Sequence, residues 1–301
     1  MKIFVTGASG WIGSAVVPEL INAGHQVVGL ARSEESAEKL QAAGVEVVRG
    51  TLDDIQLLKD TAMASDGVIH LAFKHDVAFI QGDFAAAALA DREAVEAFGE
   101  ALEGSVKPFV IASGLLGVTP GKKTTEEDGL DAGEATASPR IATANIVLGL
   151  ADKGVRSSIV RLAPTVHGDG DRGFMFTIAS LAKQNGQAGY VGDGASRWPA
   201  IHRLDAARLF RLAVEKAPAG TVLHAAAEEG VAMKDIAEAI GKGLNIPVVS
   251  ITPEEAPKQF GHLAPFIGLD SPASNEITKK LFDWEPSNPG LIEDIASGYY
   301  F

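Results

Sequence analysis

The sequence predicts an α/β protein: a doubly wound parallel sheet with a small, mostly C-terminal lobe. Three observations predict it. Short apolar runs alternate with helix-period segments through the first half of the chain, the mark of repeated βαβ units with helices on both faces of a parallel sheet. The first run passes straight into a glycine-rich turn, Thr6-Gly7-Ala8-Ser9-Gly10-Trp11-Ile12-Gly13, and then into a helical pattern. After Arg161 the alternation gives way to a glycine-dense stretch.

The first strand, Lys2–Thr6, rests on Ile3, Phe4 and Val5. The helix after it, near 11–23, repeats apolar residues at Val16, Val17, Leu20 and Ile21, and Gly24 closes it. Further strands are predicted at Gln26–Leu30, Glu46–Arg49, Gly67–Leu71, Pro108–Ala112 and Ser157–Arg161, each a short apolar run. Helices fill the intervals near 34–43, 54–63, 84–103 and 139–153, and Ala85–Ala90 reads as the start of the third of these rather than as a biased tract. Residues 162–200 carry Gly168-Asp169-Gly170-Asp171 and Gly192-Asp193-Gly194. A helix near 205–217 and a strand Thr221–His224 return to the sheet. The remainder holds a helix near 232–243, a strand Val248–Ile251 and several prolines. The expected division is 1–165 with 198–225 for the sheet domain, and 166–197 with 226–301 for the smaller lobe.

A turn between a buried strand and a helix N-terminus presents free backbone N–H groups on which a pyrophosphate can sit. Gly7 permits the tight turn, Gly10 lets the backbone approach the phosphates, and Gly13 lets the helix pack on the strand. Ser9, Trp11 and Ile12 complete the turn residues expected to touch a dinucleotide. Arg32 ends the second strand, where an acid would bind the ribose 2′-OH of NAD and an arginine receives a 2′-phosphate instead. NADP(H) is therefore favoured, with NAD(H) as the alternative, because Glu34 and Glu35 are placed to neutralise Arg32 or to reach the ribose themselves.

Composition agrees with an enzyme-sized globular chain: 301 residues, 46% hydrophobic and 22% charged. The net charge of −13 argues against general nucleic-acid binding. No apolar run is long enough for a membrane span. The first residues already read as a strand rather than a signal peptide, and there are no cysteines for disulfides or thiolate metal sites. The histidines lack metal-ligand spacing, so no metal is expected. These features fit a cytoplasmic protein whose partner is a small-molecule substrate.

Taken together, the glycine turn, Leu52-Asp53-Asp54, Ile69-His70-Leu71-Ala72, Val160-Arg161-Leu162-Ala163-Pro164, Val191-Gly192-Asp193-Gly194 and Ile201-His202-Arg203-Leu204-Asp205-Ala206-Ala207 resemble the short-chain dehydrogenase/reductase superfamily, in its extended or atypical, epimerase/dehydratase-like branch. The resemblance covers nearly the whole length. It implies a Rossmann-type sheet with a substrate-binding lobe. It also implies adenine contacts from Leu52 and Asp53, and places Leu71, Ala72, Phe73 and Pro164 along the cofactor towards the nicotinamide. The plainer reading of Asp53 is a turn or N-cap residue. Relatives often pair through the helices matching 84–103 and 139–153. The acidic residues of the first of these equally suit a solvated face, so a monomer and a homodimer both stand.

The catalytic apparatus departs from that family. Its Tyr is followed four residues later by a Lys, and none of Tyr190, Tyr299 and Tyr300 has this neighbour. Counting back from Gly154 and Arg161, Thr136 falls at the Tyr position and Arg140 at the Lys position, and Ser113, at the end of the fifth strand, stands where the family keeps its Ser/Thr. Arg140 can hold the nicotinamide ribose or a substrate oxygen, but it cannot shuttle a proton. Ser113 can donate to a developing oxyanion. Five sources for a proton are open: His167, Tyr190, His75, His202 and water. Trp198 reads as core or pocket wall. The expected function is NADP(H)-dependent reduction of a small, largely apolar carbonyl or activated alkene. A dinucleotide-sensing regulator is the alternative, and a nucleotide-sugar epimerase or dehydratase ranks third.

Overall fold

The computed structural model describes residues 1–129 and 139–301. Along the chain it runs β1 (Lys2–Thr6), α1 (Gly13–Asn22), β2 (Gln26–Ala31), α2 (Glu34–Ala42), β3 (Glu46–Arg49), α3 (Ile55–Met63) and β4 (Gly67–His70). A single π-helical turn, Asp76–Ile80, precedes α4 (Phe84–Leu102), β5 (Pro108–Gly114) and α5 (Pro139–Gly149). Then come β6 (Arg156–Leu162), β7 (Thr165–His167), α6 (Phe174–Asn185), β8 (Ala188–Val191), β9 (Arg197–His202), α7 (Arg203–Lys216) and β10 (Thr221–Ala225). The chain finishes with β11 (Glu228–Ala232), α8 (Met233–Leu244), β12 (Val248–Ile251) and four short helices, of which the last, Leu291–Ala296, is called α12 below.

Among the described residues the main sheet has seven strands in the order β10-β6-β5-β4-β1-β2-β3. Its registered pairs β2–β3, β1–β2, β1–β4 and β4–β5 are all parallel. This is the Rossmann-type α/β fold that the alternating pattern predicts. Strand alternation decides which helix covers which face. Val28 and Leu30 of β2 point into a core with Leu58 of α3, Phe98 of α4 and Val147 of α5. Gly29 faces the other way, and a Cβ there would lie 2.8 Å from Leu40 of α2. On that second face Arg211 of α7 donates to Glu19 of α1 at 2.7 Å. The order reverses between β1 and β4, and the crevice outside the carboxyl ends of strands at such a switch is where open α/β sheets bind ligands.

The described residues cluster into two units. The first is 1–113, 129–161 and 207–223; the second is 114–128, 162–206 and 224–301. Relative to the expected division, segments 114–128, 162–165, 198–206 and 224–225 fall in the second unit. Unit two has its own core, centred on Trp198, Phe260 and Ile236. Two small sheets run through it, β11-β9-β7 and β12-β8. The strands and helix between 162 and 202 were not anticipated from the sequence. Each strand is only three to six residues long, too short to display an alternating period. No helix among the described residues is long and apolar enough to cross a membrane.

A buried polar file ties β1, β4 and α4 together. Thr6 Oγ1 lies 2.7 Å from His70 Nδ1, and His70 Nε2 lies 3.2 Å from Asp91. All three residues are almost wholly enclosed.

Candidate nucleotide site and its surroundings

In unit one the loop after β1 is shaped by two glycines for separate reasons. Gly7 has φ +67°, and a Cβ on it would meet the Ala72 nitrogen at 2.7 Å, so the chain leaving β4 can pass only over a glycine. A Cβ on Gly13 would stand 2.1 Å from the Gly7 carbonyl oxygen, which makes glycine the condition for α1 to start against the turn. Gly10 donates its N–H to the Gly7 oxygen at 2.9 Å. No side chain caps α1 at Ile12, and the N–H groups of Ile12 and Gly13 have no hydrogen-bond partner among the described residues. Helix N-termini normally satisfy these donors with a cap, water or a ligand. By contrast α2 is capped within the protein, by Ser33 and Ser36 in a reciprocal pair. Uncapped donors beside a tight glycine turn fit a pyrophosphate.

Around this turn the strand ends carry charge. Arg32, just beyond β2, is 66% exposed at its side chain, and its Nη1 lies 2.9 Å from Asp76. Glu34 is occupied by Arg49 at 3.1 Å and Glu35 by Lys39 at 2.6 Å, so the neutraliser of Arg32 is an acid 44 residues away rather than a sequence neighbour. Hydrogen bonding to Arg32 holds the Asp76 carboxyl below its usual range. After β3, Leu52 is buried, and Asp53 takes Lys74 Nζ on both oxygens at 2.6 and 2.7 Å. The turn-stabilising role considered for Asp53 belongs to Asp54, which accepts from the Thr51 backbone at 2.7 Å and Oγ1 at 3.0 Å.

The ends of β4 and β5 meet at Arg140, in the first turn of α5. Its Nη2 donates to the Ala112 carbonyl at 2.8 Å, and its guanidinium lies 4.4 Å from the centre of the Phe73 ring. Burial works against its charge, with Asp91 pulling the other way. No carboxylate pairs with it among the described residues. Ser113 is buried at the end of β5, and its hydroxyl has no partner among the described residues. Leu71 and Ala72 follow β4 directly, and the Ala72 N–H donates to Thr6 Oγ1 at 3.3 Å. The His75 ring packs 5.2 Å from Phe73 and stacks 5.9 Å from Phe79. Enclosure of that ring, then the Arg140 charge, push its pKa below the usual histidine value. Thr136 lies outside the described residues.

The remaining candidates sit in unit two. Pro164 is half-buried between β6 and β7. His167 ends β7 wholly enclosed; its Nδ1 lies 2.8 Å from Asp294 of α12, and its Nε2 has no partner among the described residues. The Tyr299 hydroxyl also donates to Asp294. Tyr300 accepts from the Gly168 N–H and donates to Asp171, both at 3.3 Å. Burial raises the pKa of Asp171 and Tyr300 alike. The His202 ring meets His167 edge-on at 5.5 Å, and burial lowers its pKa. Tyr190 belongs to β8, in a different sheet from His167. Trp198 is fully buried core. Sequence reading passed over Lys74, Asp76, Asp171 and Asp294. Their partners are 21 to 129 residues away, and no local pattern marks such pairs.

The sequence pattern of the NAD-dependent epimerase/dehydratase family matches residues 3–226. The chain belongs to that family. Over 301 residues it is 46% identical to the uncharacterized protein YLL056C of Saccharomyces cerevisiae, covering 99% of both chains. Over 72 residues, 24% of this chain and 22% of the other, it is 40% identical to 4-hydroxy-2-methyl-3-oxo-4-farnesyl-3,4-dihydroquinoline-1-oxide ketoreductase of Stigmatella aurantiaca. Among solved structures it is similar to DesIV, a dTDP-glucose 4,6-dehydratase of Streptomyces venezuelae solved with NAD bound. That match has a TM-score of 0.77 and 17% identity, and covers 99% of this chain and 96% of the other. As an epimerase/dehydratase family member with a short-chain dehydrogenase/reductase fold, the chain nonetheless has no tyrosine followed four residues later by lysine.

Proposed function

We propose that the protein is an NADP(H)-dependent oxidoreductase that reduces a small, largely apolar carbonyl or activated alkene. The observation that carries this reading is the pair of open donors at the carboxyl ends of β5 and α5's first turn, the Ser113 hydroxyl and the Arg140 guanidinium, neither spent on an acid. The uncapped start of α1 would hold the pyrophosphate, and Arg32 the 2′-phosphate. When bound, the nicotinamide exchanges a hydride with the substrate. Arg140 and Ser113 would polarise the substrate oxygen as negative charge develops on it. Phe73 fixes the guanidinium plane from beneath, which pre-orients the donors without adding a counter-charge.

Neither donor is a useful acid at neutral pH: an arginine keeps its proton and a serine hydroxyl holds it too firmly. His167 is committed to Asp294 and sealed from solvent. The proton would then come from Tyr190, His75, His202 or water. A nucleotide-sugar epimerase is less well supported, since that chemistry leans on the missing tyrosine. Turnover of NADPH on a panel of small ketones, aldehydes and enones tests the proposal. Steady consumption on at least one class is expected. Tight NADPH binding with no turnover across the panel would replace it with a dinucleotide-binding regulator.

A further inference from the structure

Two cation–carboxylate pairs line the rim beside the ends of β2 and β3. Lys74 is clamped by Asp53, and Arg32 by Asp76. In both, one partner follows β4: Lys74 and Asp76 lie two residues apart in the segment that leaves that strand. The Arg32–Asp76 pair is open to solvent, with 66% and 41% of the two side chains exposed. Asp76 is also the first residue of the π-helical turn, whose Phe79 stacks on His75, which in turn packs on Phe73 beneath Arg140.

The geometry points to Asp76 as an internal stand-in for the 2′-phosphate of NADP(H), and so as a determinant of cofactor discrimination. This rests on the proposed dinucleotide site. A 2′-phosphate carries nearly two negative charges and three acceptor oxygens, whereas the carboxylate offers one charge. An exposed ion pair is weakly held. The phosphate therefore displaces Asp76 from Arg32. A 2′-hydroxyl brings no charge and leaves the pair closed. Asp76 thus taxes NADP(H) binding by the strength of one surface pair, without touching NAD(H). The exchange frees the start of the π-helical turn from the end of β2. The other acids near Arg32 in sequence, Glu34 and Glu35, pair with Arg49 and Lys39 instead.

Calorimetric titration of the wild type, Asp76→Asn and Arg32→Ala with NADPH, NADH and adenosine 2′,5′-bisphosphate tests this. Asp76→Asn keeps the shape and removes the charge. It should tighten NADPH and the bisphosphate about five-fold and leave NADH unchanged, the scale of one exposed pair. Arg32→Ala should erase the preference for NADPH over NADH. An Asp76→Asn protein that binds NADPH no tighter, or that shifts NADPH and NADH equally, while Arg32→Ala still loses the preference, overturns the role of Asp76 and leaves the dinucleotide site standing. Failure of the wild type to bind any of the three ligands overturns both.

Discussion

The two units treat their polar groups in opposite ways. At the strand ends of unit one the donors are left open: the N–H groups that start α1, the Ser113 hydroxyl and most of the Arg140 guanidinium. The arginine and lysine pairs beside them lie at the surface, as Arg32 with Asp76 does, although the file of Thr6, His70 and Asp91 behind the turn is enclosed. In unit two the comparable set is enclosed and bonded internally, apart from His167 Nε2, which has no partner among the described residues. His167, Asp294, Asp171 and Tyr300 are all buried and bonded to one another's neighbours across β7, the loop after it and α12. Open donors cost stability unless something binds, whereas enclosed networks cost it only when broken. On the proposed reading, ligand binding falls to the first set and structural integrity to the second.

The strongest challenge to that assignment is Gly13→Ala. Its Cβ would be forced 2.1 Å from a backbone oxygen, so α1 must shift and carry its free N–H groups away from the turn. A loss of NADPH affinity of 100-fold or more is expected by calorimetry, roughly 3 kcal/mol. Near-normal binding would mean that the nucleotide does not use this turn. Asp294→Ala comes next. It orphans the enclosed His167 Nδ1 and the Tyr299 hydroxyl, and about 3 kcal/mol of unfolding free energy should go, measured by denaturant titration. A stable Asp294→Ala protein whose turnover has collapsed would move the unit-two network into the chemistry and break the comparison. For Arg140→Ala, kcat should fall about 100-fold with NADPH affinity little changed, the usual outcome of removing one oxyanion donor.

A smaller effect follows from Asp171. Burial raises its native pKa above the ordinary value of 3.8. Between those two values the folded protein keeps a proton that the unfolded chain has released, so stability falls as pH rises through that window. Asp171→Asn should flatten this slope in acid unfolding curves; an unchanged slope would show that the enclosed network does not titrate. Smallest of all, Lys74→Ala should cost less than about 1 kcal/mol, because its pair with Asp53 is partly solvated.

Much of this architecture was readable in the chain because its signals are local. The strand–turn–helix at residues 2–22 needs only apolar runs, three glycines and their spacing. Arg32, Asp53, Phe73, Ser113 and Arg140 are all at strand ends or a helix start in unit one, where the alternating pattern put them. What stayed hidden depends on pairing at a distance. Nothing near Asp76 in sequence reveals that it faces Arg32; that follows from β2 and β4 flanking β1. Asp294 is 127 residues from His167. The sheet of β7, β9 and β11 is likewise assembled from fragments of three to six residues, too short to show alternation.

Behind the glycine turn, one hydroxyl joins the loop to a helix. Thr6 Oγ1 takes the Ala72 N–H on one side and meets His70 Nδ1 on the other, and His70 Nε2 closes the file on Asp91. A hydroxyl can donate and accept at once, so a single side chain at position 6 serves both neighbours. Without it the Ala72 N–H and the His70 ring would each lose that partner, and the strand that floors the turn would lose its tether to α4.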